Sequence, residues 1–226
     1  CAKTIFSIKR FWIYLTNKKK MFEILINQNL LLLLVVFGLA LAIIPDYYQL
    51  IFKKIGFQAG KLATGYNNAM KVMVLNRFGA VLYFLCISFM VDTKTSLSFL
   101  FQAYMLSFFV ITIFAIYIFK KHSNNYKVNS LIYAAFISDL FNKLGLSIPF
   151  ILGILLPEYR LTLAQTGFLF NTIYLIINVF IIENDVSKNF DTKGADFKPS
   201  FNSIIIGRAL SCMVVTLVFT CLFYFF

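Results

Sequence analysis

Six stretches of this chain stay apolar long enough to cross a hydrocarbon core of about 30 Å at about 1.5 Å per helical residue. They are residues 28–44, 62–91, 96–119, 130–156, 161–182 and 203–226. None shows the alternation of apolar and polar residues that a transmembrane barrel strand needs. The pattern predicts an all-α fold, a polytopic membrane helical bundle of about six transmembrane helices. The first span closes at Pro45 and Asp46, with Tyr47 and Tyr48 as interfacial aromatics, and the glycines of residues 53–61 predict a tight turn. The third is Phe-rich and nearly free of polar groups, which predicts a lipid-facing wall.

The polar interruptions differ in kind. The fourth span carries Asp139, Asn142, Lys143, Gly145 and Pro149. A proline ring clashes with the carbonyl four residues back, here that of Gly145, so this span is predicted to be kinked or interrupted. After the polar link at 157–160 the fifth span carries Thr162, Gln165, Thr166, Asn171 and Asn178. The second span is long and holds Asn67, Asn68, Lys71, Asn76 and Arg77. At 100° per residue Lys71 shares a face with Lys61 and Asn68 while Arg77 points elsewhere, too deep to snorkel with ease. Arg208, near the start of the sixth span, is shallow enough to reach headgroups.

Composition agrees with a membrane protein: 226 residues, 60% hydrophobic and only 13% charged, leave too little polar surface for a soluble domain. Lys and Arg in the five links number 3, 1, 3, 1 and 3, which places the first, third and fifth links in the cytoplasm. Six further cations lie in residues 1–20, on the wrong side by that rule. Those residues are either an amphipathic surface segment or foreign to a fold that occupies residues 21–226 as one transmembrane domain, and we favour the second. Without them the net charge falls from +12 to +6, so the high isoelectric point implies anionic lipid as a neighbour and no nucleic acid. Cys86, Cys212 and Cys221 read as packing thiols, whereas Cys1 marks a processed chain or a fragment.

Catalytic equipment is sparse. One histidine, His122, falls in a link, and no His-Glu-x-x-His run, aspartate-rich helix pair or nucleotide-binding glycine motif occurs. The expectation is a protein that is no enzyme and takes no cofactor or metal. What stands out is a surplus of intramembrane cations, Lys71, Arg77, Lys143 and Arg208 against Asp139. Each such charge costs about 2.5–3.5 kcal/mol on insertion scales, so they are expected to meet something negative. A diphosphate-linked lipid is the natural partner. Asp139 precedes Lys143 at the favourable i, i+4 spacing, so the two either neutralise each other or Lys143 faces substrate.

The run at 55–92 resembles a segment of the Amj family of alternate lipid II flippases, with Gly60, Lys61, Ala63, Arg77 and Asp92 in step and Asn76 where the family tends to have Ser. Pro157, Glu158, Arg160, Thr162, Gln165 and Asn171 are similar to its Pro-Glu-x-Arg-x-Thr-x-x-Gln and Asn pattern, and Ser187, Asp191, Gly194 and Arg208 follow in order. After that Arg the family has a Gly-Thr-x-x-Ala-Gln run and this chain ALSCMVVT. The resemblance spans about residues 50–220 and implies translocation of undecaprenyl-diphosphate-linked peptidoglycan precursor, lipid II, across the bacterial inner membrane. It carries no residue roles. From polarity and depth, Arg77 and Lys143 are expected to take the diphosphate, with Asp139 and Lys71 nearby. Arg160 and Gln165 are expected to receive the sugar or headgroup, and 145–149 to hinge. The alternatives are a non-catalytic scaffold or regulator of envelope synthesis, a flippase of another polyprenyl-linked glycan, and an enzyme on lipid-linked sugars.

Overall fold

The computed structural model of the chain describes residues 28–93, 96–122, 130–193 and 198–225. The basic segment 1–20, Met21, Gly194 and residues 123–129 of the link at 120–129 used to assign topology lie outside them. Helix α1 spans Gln28–Gln58, α2 Leu62–Asp92, α3 Leu97–His122 and α4 Ser130–Leu155. A 3-10 turn at Pro157–Tyr159 leads into α5, Arg160–Ile176, which runs on through a π-helical stretch, Ile177–Glu183. The short α6, Asn184–Lys193, and the long α7, Lys198–Phe225, complete the order. Six of these helical stretches are long and apolar enough to cross a membrane. The protein is an all-helical, multi-pass membrane protein.

Sequence spacing explains how the helices pair. In α1, Leu31, Val35, Leu39, Ile43, Tyr47 and Leu50 recur every three or four residues and are buried, a single apolar stripe. Glycines let α2 lie close against it, because a Cβ at Gly38 would sit 2.8 Å from the Tyr83 backbone nitrogen and one at Gly56 2.6 Å from the Gly65 Cα. Small residues at the contact are how membrane helices gain packing where no hydrophobic force acts between them. The turn between α1 and α2 closes at Gly60, whose φ of +65° is a left-handed conformation that glycine adopts without strain.

Helix α7 is the central post, with residues 201–209 all buried. Against α3 it sets Thr216 2.7 Å from Thr112 and stacks Phe219 on Phe108 at 5.4 Å. Cys212 lies 3.1 Å from the Tyr47 hydroxyl of α1, and Phe201 packs 5.7 Å from Phe57. Helices α4 and α5 form the second antiparallel hairpin.

Four expectations need correction. The first span does not close at Pro45 and Asp46: α1 continues through both to Gln58, which brings Asp46 inside the bundle. Of the kink or interruption expected at Pro149, the interruption is absent: α4 is helical to Leu155. Carbonyls of the turn before Pro149 are held by tyrosines from two neighbours. The Tyr83 hydroxyl donates to Leu146 O, and the Tyr104 hydroxyl, 2.8 Å from that of Tyr83, reaches Leu146 O at 3.3 Å and Ser147 O at 3.4 Å. Partners from neighbouring helices are what make proline tolerable in a membrane span.

Helix α3 is a lipid-facing wall on one side only: Phe109, Ile113 and Tyr117 are exposed, while Leu100, Tyr104, Phe108, Ile111 and Ala115 are buried. In its most apolar stretch 44% of residues are buried, against 22% for α2 and 6% for the fifth span. The most polar-marked helices are the outermost. Arg208, finally, does not snorkel; it is buried and donates through Nη2 to Asn178 Oδ1 at 3.4 Å.

Candidate functional site

The two hairpins enclose a cleft of about 610 Å³. Helix α1 contributes Ala42, Asp46 and Gln49, and α2 contributes Met73, Asn76, Arg77, Ala80, Phe84 and Ser88. From α4 come Asn142, Gly145, Leu146, Pro149 and Phe150, and from α5 Ala164, Gly167, Phe168, Asn171, Tyr174 and Leu175. Helices α2 and α5 stand on either side and, among the described residues, scarcely pack against each other. The cleft therefore opens sideways between them.

Its lining is sorted by depth. Because neighbouring helices run antiparallel, Asp46, Gln49, Asn76, Arg77, Asn142, Asn171 and Tyr174 gather at the end nearer the Gly60 turn. Ala80, Phe84, Pro149, Phe150, Ala164 and Phe168 gather at the end nearer Pro157. The polar groups cluster toward the first end, beside Met73 and Leu175, and the phenyl and alanine side chains toward the second, beside Ser88. An ion pair stands near each end. Arg160 Nη1 lies 3.8 Å from Asp92 Oδ1, linking the α5 start to the α2 end, and Lys53 Nζ lies 3.1 Å from Glu183 Oε1, linking α1 to the π-helical stretch. At partial exposure each contributes about 1 kcal/mol or less.

Asp46 and Arg77 are the only charged groups among the described lining residues. The Asp46 carboxylate accepts hydrogen bonds from Asn76 Nδ2 at 2.9 Å and Gln49 Nε2 at 3.3 Å. Arg77 makes no hydrogen bond or ion pair to a described residue, so its guanidinium is available to a ligand. Behind the wall, Tyr174 is joined to Arg208 through Asn178, whose Nδ2 donates to the Tyr174 hydroxyl at 3.2 Å. The π-helical stretch, which holds Asn178, widens the helix where that bridge is made, and such bulges recur at functional sites.

The expected convergence of Arg77 and Lys143 on one hollow is not what the structure shows. Lys143 is fully buried, paired with Asp139, with Ser211 Oγ 3.4 Å away, and lines no part of the cleft. The i, i+4 pair neutralises itself, because α4 turns that face toward α7. Lys71 and Gln165 are exposed and away from the cleft. Arg160 is spent on Asp92 and on Gly153 O, to which its Nε donates at 3.2 Å. Residues 145–149 form no hinge in an irregular segment; a Cβ at Gly167 would sit 3.3 Å from Pro149 Cγ, so they are a close contact between α4 and α5.

Asp46 is the residue that sequence reasoning missed. The signal that hid it was Pro45, taken to end a helix that in fact carries on. Among the described residues no three His, Cys, Asp or Glu side chains gather as a metal site would require. The fold and cleft define a six-span helical membrane protein with a laterally open, amphipathic groove. No family model matches the chain, and neither the curated proteins nor the solved structures contain a match.

Proposed function

We propose that the protein moves an anionic, lipid-linked headgroup across its membrane, with undecaprenyl-diphosphate-linked peptidoglycan precursor, lipid II, as the substrate. The observation that carries this is the cleft between α2 and α5, with several carboxamides and Arg77, which has no hydrogen-bond or ion-pair partner among the described residues, toward one end and phenyl rings and alanines toward the other. A diphosphate attracts a guanidinium more strongly than most neutral groups do, and carboxamides suit a sugar's hydroxyls. The lateral opening lets a prenyl chain stay among acyl chains while the headgroup sits in the groove. The order of motifs shared with the Amj family supports the choice of a peptidoglycan precursor. Lys143 has no part in binding, so the cation of the site is Arg77.

One observation favours a non-transporting scaffold as the second reading. Five of the intramembrane polar groups form two bonded sets, Asp139, Lys143 and Ser211 in one and Asn178 and Arg208 in the other, and hold helices together. Arg77→Gln separates the two. In proteoliposomes holding a fluorescent lipid-linked saccharide, and in a strain depleted of its own lipid II flippases, the variant is expected to lose at least tenfold in flipping rate and to fail to restore growth at normal protein level. Full activity of Arg77→Gln in both would overturn translocation through this cleft.

A further inference from the structure

Among the described lining residues of the cleft a single acid faces a single base. With Asp46 ionised the wall is neutral, and with Asp46 protonated it carries the +1 of Arg77. An anion arriving beside Arg77 meets a repelling carboxylate in the first case and none in the second. We propose that Asp46 is a proton-binding site that couples protonation to loading of the cleft, so that a proton and an anionic headgroup bind together and leave together. This rests on the preceding reading that the cleft takes an anionic lipid.

The surroundings of Asp46 suit the role. Its carboxylate is half-buried in a membrane span and opens onto the cleft, where the proton has a path. Intramembrane carboxylates in such positions serve as proton relays in pumps and transporters. Its two hydrogen bonds come from carboxamides, Asn76 and Gln49, which do not titrate; Asn76 Nδ2 is also held by Ala42 O, and Gln49 is the one that turns its amide oxygen to accept from a protonated carboxyl. The charged groups in reach are Arg77 from α2, Lys143 from α4 and Arg208 from α7. Lys143 is already matched by Asp139, whereas Arg208 is bonded to the neutral Asn178 and keeps its charge behind the wall in both states of Asp46. Among the described residues Tyr174 from α5 and Tyr47 from α1 itself are the remaining ionisable neighbours, and α3 presents the Phe114 ring beside Tyr47, 6.2 Å between centroids. Of these three cations Arg77 alone lines the cleft, and among the described residues it has no hydrogen-bonded partner. Because linkage is reciprocal, whatever tightens headgroup binding on protonation equally favours protonation once the headgroup is bound.

The test uses the full chain in lipid nanodiscs and, as probe, a short-chain prenyl diphosphate capped at its distal phosphate by one sugar. A phosphate diester lacks the second ionisation, near pH ~6, of a monoester, so the probe's own charge stays constant. Affinity is expected to rise as pH falls, by up to about tenfold per pH unit where one proton is linked, with proton uptake read by calorimetry in buffers of different ionisation heat. Asp46→Asn is expected to hold the low-pH affinity at every pH. Binding that depends on Arg77, yet shows neither pH dependence nor proton uptake in the wild-type chain, overturns the coupling and leaves the lipid site standing. An Asp46→Asn variant with the wild-type slope overturns it too. Absence of probe binding at all pH values, or binding unchanged in Arg77→Gln, overturns the lipid site and the coupling together. Proton uptake is measured on the wild-type chain, so the result stands even where Asp46→Asn fails to fold.

Discussion

Two cations of similar depth in the sequence have opposite fates. Lys143 is sealed against Asp139 with its side chain fully buried, and Arg77 lies open in the cleft. Removing one member of a buried pair leaves an uncompensated charge, at a cost of about 3–5 kcal/mol. Lys143→Met is therefore expected to lower the melting temperature in detergent sharply, and Asp139→Leu in the same chain to recover most of that loss. Thermal melts of the single and double variants check this, and an additive double variant would contradict it. Arg77→Gln, which breaks no hydrogen bond among the described residues, is expected to change stability by less than about 0.5 kcal/mol in the same assay. Any loss of transport in Arg77→Gln then reports on function, which a Lys143 variant does not.

At the scale of helices, packing rather than polarity decided position. Helix α3, the most uniformly apolar, lies against α7 because Ser107, Phe108, Ile111 and Ala115 make a tight buried face. Helices α2 and α5 lie outside because only part of each packs on the bundle: Asn76, Arg77, Asn171 and Tyr174 look into the cleft, while Lys71 and Gln165 and many apolar side chains face outward. The α1–α2 hairpin depends on glycine. A Cβ at Gly79 would press on the backbone of Leu41 and Ala42 in α1. Gly79→Val is expected to destabilise by roughly 1–3 kcal/mol through overpacking, measured by thermal melts. The same change at Ala80, whose neighbour is the cleft, is expected to cost less and to reduce its volume.

At the scale of the whole molecule, the cleft makes a wet stripe on an otherwise lipid-facing surface. Thiols react with water-soluble maleimides as thiolates, which form only where water reaches. In a chain freed of its native cysteines, Asn171→Cys is expected to be labelled at least tenfold faster in proteoliposomes than Leu169→Cys. Leu169 is on the same helix, 62% exposed but pointing away from the cleft. Equal rates would mean that the cleft holds lipid throughout. Addition of the sugar-capped prenyl diphosphate is expected to slow labelling of Asn171→Cys and leave Leu169→Cys unchanged.

The number and order of the spans were legible because an apolar run of some twenty residues has few fates other than crossing a bilayer. The i, i+4 relation of Asp139 and Lys143 was equally legible, since it depends on helical geometry within one segment. Which of the deep charges shares space with which was not. That Asp46 belongs with Arg77, that Arg208 reaches Asn178 and that Lys143 turns toward Ser211 follow from how glycine and small-residue contacts rotate each helix against its neighbours. Hydropathy along one segment reports whether it enters the membrane, while the rotation of that segment about its axis is set by steric fit with residues far away in the chain, which only the assembled bundle supplies.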